Sequence, residues 1–164
     1  MKNRQFIDDL KSGVFANMIR ENMINEKFNN SKEVYNTLKP MMAMHRDVEK
    51  LYVIFLNATN GVMDIVPMFS GSIVGSPVYP REIIKAVIEK GAVSIILGHN
   101  HPSGDCKPSP EDISITKKIQ FALACVNVSL HDHVIVGNNG EFYSFAENHI
   151  PKFKDEIRDF FKPY

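Results

Sequence analysis

The sequence predicts an α/β domain, and two observations carry that class. Four runs rich in branched and aromatic residues, 51–56, 62–69, 93–97 and 128–136, read as strands. Between them lie two segments whose apolar residues recur at helical spacing, one starting near Pro80 and one at Ser109. A chain of 164 residues has room for one such domain and short appendages.

Residues 1–44 read as an N-terminal helical arm. Phe6, Leu10, Phe15, Met18, Ile19 and Met23 are roughly helix-spaced, with a break near Ser12-Gly13. Asn29-Asn30-Ser31 marks a second helix start, and Val34, Tyr35 and Leu38 form a short stripe that Pro40 disturbs. The weakly apolar arm is a candidate contact with its own domain or with a second copy in a homo-oligomer. The compact part is expected over 45–150. Its first strand, 51–56, turns through 57–61, which ends in Asn-Gly, into the strand 62–69. Residues 70–77 read as a loop or an edge strand. Pro80 suits a first helical position, Ile83, Ile84, Val87 and Ile88 share a face, and Gly91 ends the helix. Residues 93–97 form a buried strand. Ser109 caps a long helix with Ile115, Ile119, Ala122 and Val126 on one side. A strand over 128–136 and a short one over 141–145 follow. Residues 151–164 form a tail in which Phe153, Ile157, Phe160 and Phe161 suggest a brief amphipathic helix.

Composition narrows the function. The formal net charge is zero, so the chain shows no broad electrostatic footprint for nucleic acid. Two cysteines, Cys106 and Cys125, are too few for a disulfide framework. No apolar run is long enough to span a bilayer, so no membrane partner is expected. The opening residues are charged and lack the apolar core and cleavage site of a leader; the expected location is the cytoplasm.

The chemistry concentrates between Gly98 and Asp112. His99 and His101 end an apolar strand two positions apart, so both face one side of it. Asp112 falls in the first turn of the next helix. Two imidazole nitrogens and one carboxylate oxygen leave one corner of a zinc tetrahedron open, as a catalytic site requires. Asp112 also fits a structural role: Ser109, Pro110 and Asp112 resemble a capping box. Ser109 can cap the helix or donate to a developing oxyanion, but hardly both fully at one moment. Cys106 has no second cysteine at ligand spacing and reads as a loop residue. His131 and His133 share a strand face and could also bind metal, but a structural role for them and for Asp132 fits better. A hydrolytic zinc site needs a carboxylate base, and both Glu49 and Glu82 qualify. Spacing does not choose between them.

These residues match a known pattern. His99-x-His101-Pro102 followed by Ser109-x-x-Asp112 resembles the JAMM motif of MPN/JAB-domain metalloproteases, and the wording is closer still to the bacterial RadC family. Glu49 before a hydrophobic strand ending in Leu56-Asn57 resembles that family's first block. Phe69-x-Gly71-Ser72 and Pro80-Arg81-Glu82 resemble its second, 99–105 with Pro108-Ser109 its third, and Asp132-His133-x-Ile135-Val136-Gly137 its fourth. The likeness covers roughly 45–148; residues 1–44 carry little of it. Tyr79 stands where the family usually has histidine, and Cys106 where it more often has proline.

The resemblance implies a mixed sheet flanked by helices, the cytidine-deaminase-like MPN/JAB fold. It implies that His99, His101 and Asp112 bind Zn2+, that Glu49 activates a water, and that Ser109 helps hold the tetrahedral intermediate. The expected activity is zinc-dependent hydrolysis of a peptide or isopeptide-like amide bond, with a peptide or protein as substrate. The alternative is a non-catalytic binding module, or a DNA-repair-associated protein on the strength of the family label alone. The deaminase signature, with its H-x-E and P-C-x-x-C ligands, is absent.

Overall fold

A computed structural model describes residues 8–9, 13–43, 47–71, 79–138 and 140–148. Phe6, Leu10, the connection over 72–78 and the helix expected at 153–161 lie outside the described residues. Among the described residues the main elements are, in chain order, α1 (Val14–Met23), α2 (Ser31–Met42), β1 (Lys50–Leu56), β2 (Val62–Ser70), α3 (Pro80–Lys90), β3 (Ser94–Asn100), α4 (Pro110–Ala124), β4 (Ser129–Val136) and β5 (Phe142–Ser144).

The strands form one mixed sheet in the order β2-β1-β3-β4-β5, with helices on both faces. This is the mixed α/β architecture the resemblance implies. β3 and β4 run parallel, joined by α4, and every other pair is antiparallel. A helical crossover is what a parallel pair requires, whereas β1 and β2 need only the turn after Leu56. That turn is held by Asn57, whose Oδ1 accepts hydrogen bonds from the Thr59 and Gly61 amides.

Strand alternation divides the core into two layers. Tyr52, Ile54, Leu56, Ile96, Val134 and Val136 face α2, which buries Val34, Tyr35, Leu38, Met41 and Met42 against them. Leu51, Val53, Phe55, Ile95 and Leu97 face α3 and α4, which supply Ile83, Val87, Ile119 and Leu123. Gly98 lets α2 lie close to the sheet, because a Cβ there would come 2.1 Å from Leu38 Cδ1. The helix α1 is tied to the edge strand β2 by Arg20, which pairs with Asp64; Lys90 of α3 reaches the same carboxylate at 2.7 Å.

The buried stripe of α4 differs from the apolar one expected. It runs Asp112, Thr116, Ile119, Gln120 and Leu123, and Val126 lies beyond the helix and is exposed. The first turns of α4 bury polar side chains because they face the histidines of β3 and β4, not hydrocarbon. Among the described residues, no helix is long and apolar enough to cross a membrane.

Candidate metal centre

Register brings the site together. Leu51 pairs with His99 across the antiparallel β1–β3 ladder. The residue two before Leu51 and the residue two after His99 therefore end up opposite each other, just past the ladder. These are Glu49 and His101. From the other side, the capping box at Ser109 fixes the first turn of α4 and with it Asp112.

The structure gathers Glu49, His99, His101 and Asp112 so that one ligand-capable atom from each lies within 4.8 Å of the others. Such a group can hold a metal ion. The separations fall into two classes. His99 Nε2 and His101 Nε2 are 2.9 Å apart. Each is 3.1 Å from an Asp112 oxygen, His99 from Oδ1 and His101 from Oδ2. Glu49 Oε1 stands back at 3.8 and 3.9 Å from the two nitrogens. A tetrahedron with bonds of about 2.0 Å has edges of about 3.3 Å, so the first three groups fit round one ion and Glu49 lies just outside them.

Hydrogen bonds fix which ring nitrogens carry protons. Thr116 Oγ1 donates its one proton to the Asp112 carbonyl, so at 2.6 Å it must accept from His133 Nδ1. The His133 ring is completely buried; burial first, and any positive charge on His99 second, hold its pKa well below the ordinary value, so the ring is neutral and its Nε2 is an acceptor. His99 Nδ1, 2.8 Å from that atom, is therefore the donor, so in the neutral ring the lone pair sits on His99 Nε2. His101 Nδ1 donates to the Asp105 carbonyl at 2.8 Å, which leaves a lone pair on His101 Nε2 as well. Gly104 permits that loop shape, with φ +78° and Asn138 packed where a Cβ would stand.

Asp112 completes the set. Its Oδ2 accepts from the Ser109 amide and hydroxyl, each at 2.7 Å. Its Oδ1 is buried and has no hydrogen-bond partner. With neutral rings, two nitrogen lone pairs and an orphaned carboxylate oxygen thus converge, and such a set of acceptors can be satisfied by a cation. Burial pushes the Asp112 carboxyl up, but His101 and His99, which donate to it when their Nε2 atoms carry protons, together with the Ser109 hydroxyl outweigh it and hold the pKa far below the usual carboxylate range. A proton on His101 meets the same need, and its bond to Asp112 raises the His101 pKa against burial.

The other sequence candidates are not among the four gathered residues. Glu82 pairs with Arg81 on the exposed side of α3. Cys106 sits half-buried against Gly137 and is not one of the four gathered residues. Ser109 serves as the helix cap and gives its proton to Asp112. His131 and His133 do not share a face. The β3–β4 register skips one residue between Leu130 and Asp132, a bulge at His131. His131 consequently bonds Asn60 at the surface, Asp132 turns to Ser31 of α2, and His133 turns to His99.

Two contributors were not anticipated from the sequence. Thr116 sets the proton order of His133. Asn100, between the two histidines, points to the other face, where Oδ1 accepts from the Lys50 amide at 2.9 Å and Nδ2 donates to the Val48 carbonyl at 3.1 Å. It grips the chain on both sides of Glu49. The strand alternation that pairs His99 with His101 was the available signal for Asn100.

A family model for the RadC-like JAB domain matches residues 28–150. The chain belongs to that family. The match takes in α2 as well as the sheet. Relatives of this RadC-like JAB domain include a UPF0758 protein of Symbiobacterium thermophilum, 42% identical over 118 residues, which are 72% of this chain and 50% of the relative. A UPF0758 protein of Saccharophagus degradans is 44% identical over 103 residues, 63% of this chain and 46% of the relative. One of Photobacterium profundum is 47% identical over 102 residues, 62% and 45% respectively. The chain spans about half the length of the curated relatives it matches.

Proposed function

We propose that this RadC-like JAB domain is a zinc-dependent hydrolase that cleaves a peptide or isopeptide-like amide bond. The observation that carries the proposal is the convergence of His99 Nε2, His101 Nε2 and the unpartnered Asp112 Oδ1, with Glu49 set back by less than 1 Å beyond them. Two imidazoles and one carboxylate suit zinc and leave a coordination position open. When bound, zinc supplies a Lewis acid and brings the pKa of water from about 16 toward 7.

The chain's own residues do the rest. His99, His101 and Asp112 hold the ion. Glu49 takes a proton from the attacking water and delivers it to the leaving amine nitrogen. Asn100 fixes the backbone on both sides of Glu49 and so aims its carboxylate. Ser109 aids the oxyanion only by turning its hydroxyl away from Asp112, and such a donor is typically worth about 3 kcal/mol of barrier. Replacing Glu49 by Gln tests the reading: metal content stays, while hydrolysis of peptide or isopeptide substrates falls by at least about a hundredfold. Undiminished turnover in that variant contradicts it.

A further inference from the structure

We propose that a cavity beside His101 is a specificity pocket for one apolar side chain of the substrate, next to the bond that is cut. The inference rests on the amide-hydrolase reading and adds the substrate's character to it.

The cavity holds about 250 Å3 and lies at the carboxyl ends of β3 and β4. In α/β sheets, crevices at that end of parallel strands are where ligands sit. Its walls are Pro40, Met42 and Ala43 of α2 and its cap, Pro102 after β3, and Val136 at the end of β4. A space of this size is below what a drug-sized ligand occupies and suits one side chain.

The polar groups at its edge are few, and the nearest to the sheet is already hydrogen-bonded. The Asn100 amide is spent on Val48 and Lys50. The Asn138 side chain packs against Gly104, and its backbone amide bonds the Gly104 carbonyl. The Lys39 ammonium lies over the Tyr35 ring, 5.2 Å from its centroid, which leaves the hydrocarbon stem for the wall. A charged or strongly polar guest would lose water against walls that are mostly hydrocarbon.

Continuity with the metal centre gives the occupant. His101 belongs to both. The cavity lies on the α2 side of the sheet end, and among the four gathered residues His101 and Glu49 are the ones that reach solvent, their side chains 15% and 12% exposed against 0% for His99 and 1% for Asp112. A substrate approaching over His101 therefore has this cavity as its neighbour.

Amino-acid hydroxamates test the pocket, since the chelating head fixes the register and only the side chain varies. We expect the zinc-loaded full chain to bind N-acetyl-leucine hydroxamate about tenfold or more tightly than the glycine compound by calorimetry. The aspartate compound should gain nothing over glycine. In Ala43→Phe, which fills the cavity from the end of α2, the leucine advantage should vanish while zinc content and the affinity for the glycine compound persist. Equal binding of the leucine and glycine compounds to the unaltered protein overturns the pocket and leaves the metal centre standing. An advantage that survives Ala43→Phe also overturns it. Failure of all three compounds to bind overturns the metal reading beneath it.

Discussion

His133 accepts the Nδ1 proton of His99 in a hydrogen bond from the neighbouring strand and so directs the lone pair of the neutral His99 ring to Nε2. Its Nε2 lies 2.8 Å from His99 Nδ1, and its own Nδ1 is turned over to Thr116. The two rings are buried on adjacent parallel strands, with centroids 4.8 Å apart. Partners of this kind orient a ligand and fix its tautomer. His133→Phe should therefore lower zinc affinity about 10–100-fold in a chelator competition, though no first ligand is touched. His133→Gln, which retains an acceptor, should recover much of the loss. Equal zinc affinity in His133→Phe and the unaltered protein would refute this role.

Asn100 acts on Glu49 in the same indirect way. Asn100→Ala leaves the Lys50 amide and the Val48 carbonyl without their side-chain partner. The expected cost is about 1–3 kcal/mol in a denaturant titration. Zinc stoichiometry should hold at one per chain, because His99 and His101 keep their own partners, while amide hydrolysis falls with Glu49 misaligned. Loss of the metal instead would mean that Asn100 supports the ligands and not the base.

The link between α1 and the sheet should respond to acid. Burial alone would raise the Asp64 pKa, but bonds from Arg20 and Lys90 overcome it and hold the carboxyl below its ordinary value. A depressed folded-state pKa gives stability that is present above the unfolded value, near pH 4, and is lost as pH falls through the folded one. Protease cleavage within α1 should accordingly rise below about pH 4. Asp64→Asn should show that susceptibility at neutral pH and lose most of the pH dependence. A pH-independent cleavage pattern in the unaltered protein would show that the ion pairs do not hold the helix.

Much of this was legible in the sequence, for reasons that also explain the rest. Branched and aromatic runs announced β1 to β4, because sheet interiors select such side chains. The His99–His101 spacing announced a shared face, and Ser109 with Asp112 announced a capped helix. The bulge at His131 was not legible. One unpaired residue reverses every later side chain of β4, and no local composition marks it. The polar stripe of α4 was hidden for a related reason: Asp112 and Thr116 are buried for hydrogen bonding, and hydrophobic periodicity does not register them. The spacing did not choose between Glu49 and Glu82, and the family resemblance did; it is the β1–β3 register, a long-range property, that brings Glu49 beside the histidines.

The central claim is that His99 Nε2, His101 Nε2 and Asp112 Oδ1 hold one ion. Metal content of the full chain, purified without added metal and compared with His99→Ala, tests it most directly. The account predicts close to one equivalent of zinc per chain in the unaltered protein and almost none in the variant, with circular dichroism confirming that both are folded. Absence of bound metal from the unaltered protein, even after incubation with zinc, would contradict it, as would full occupancy in His99→Ala.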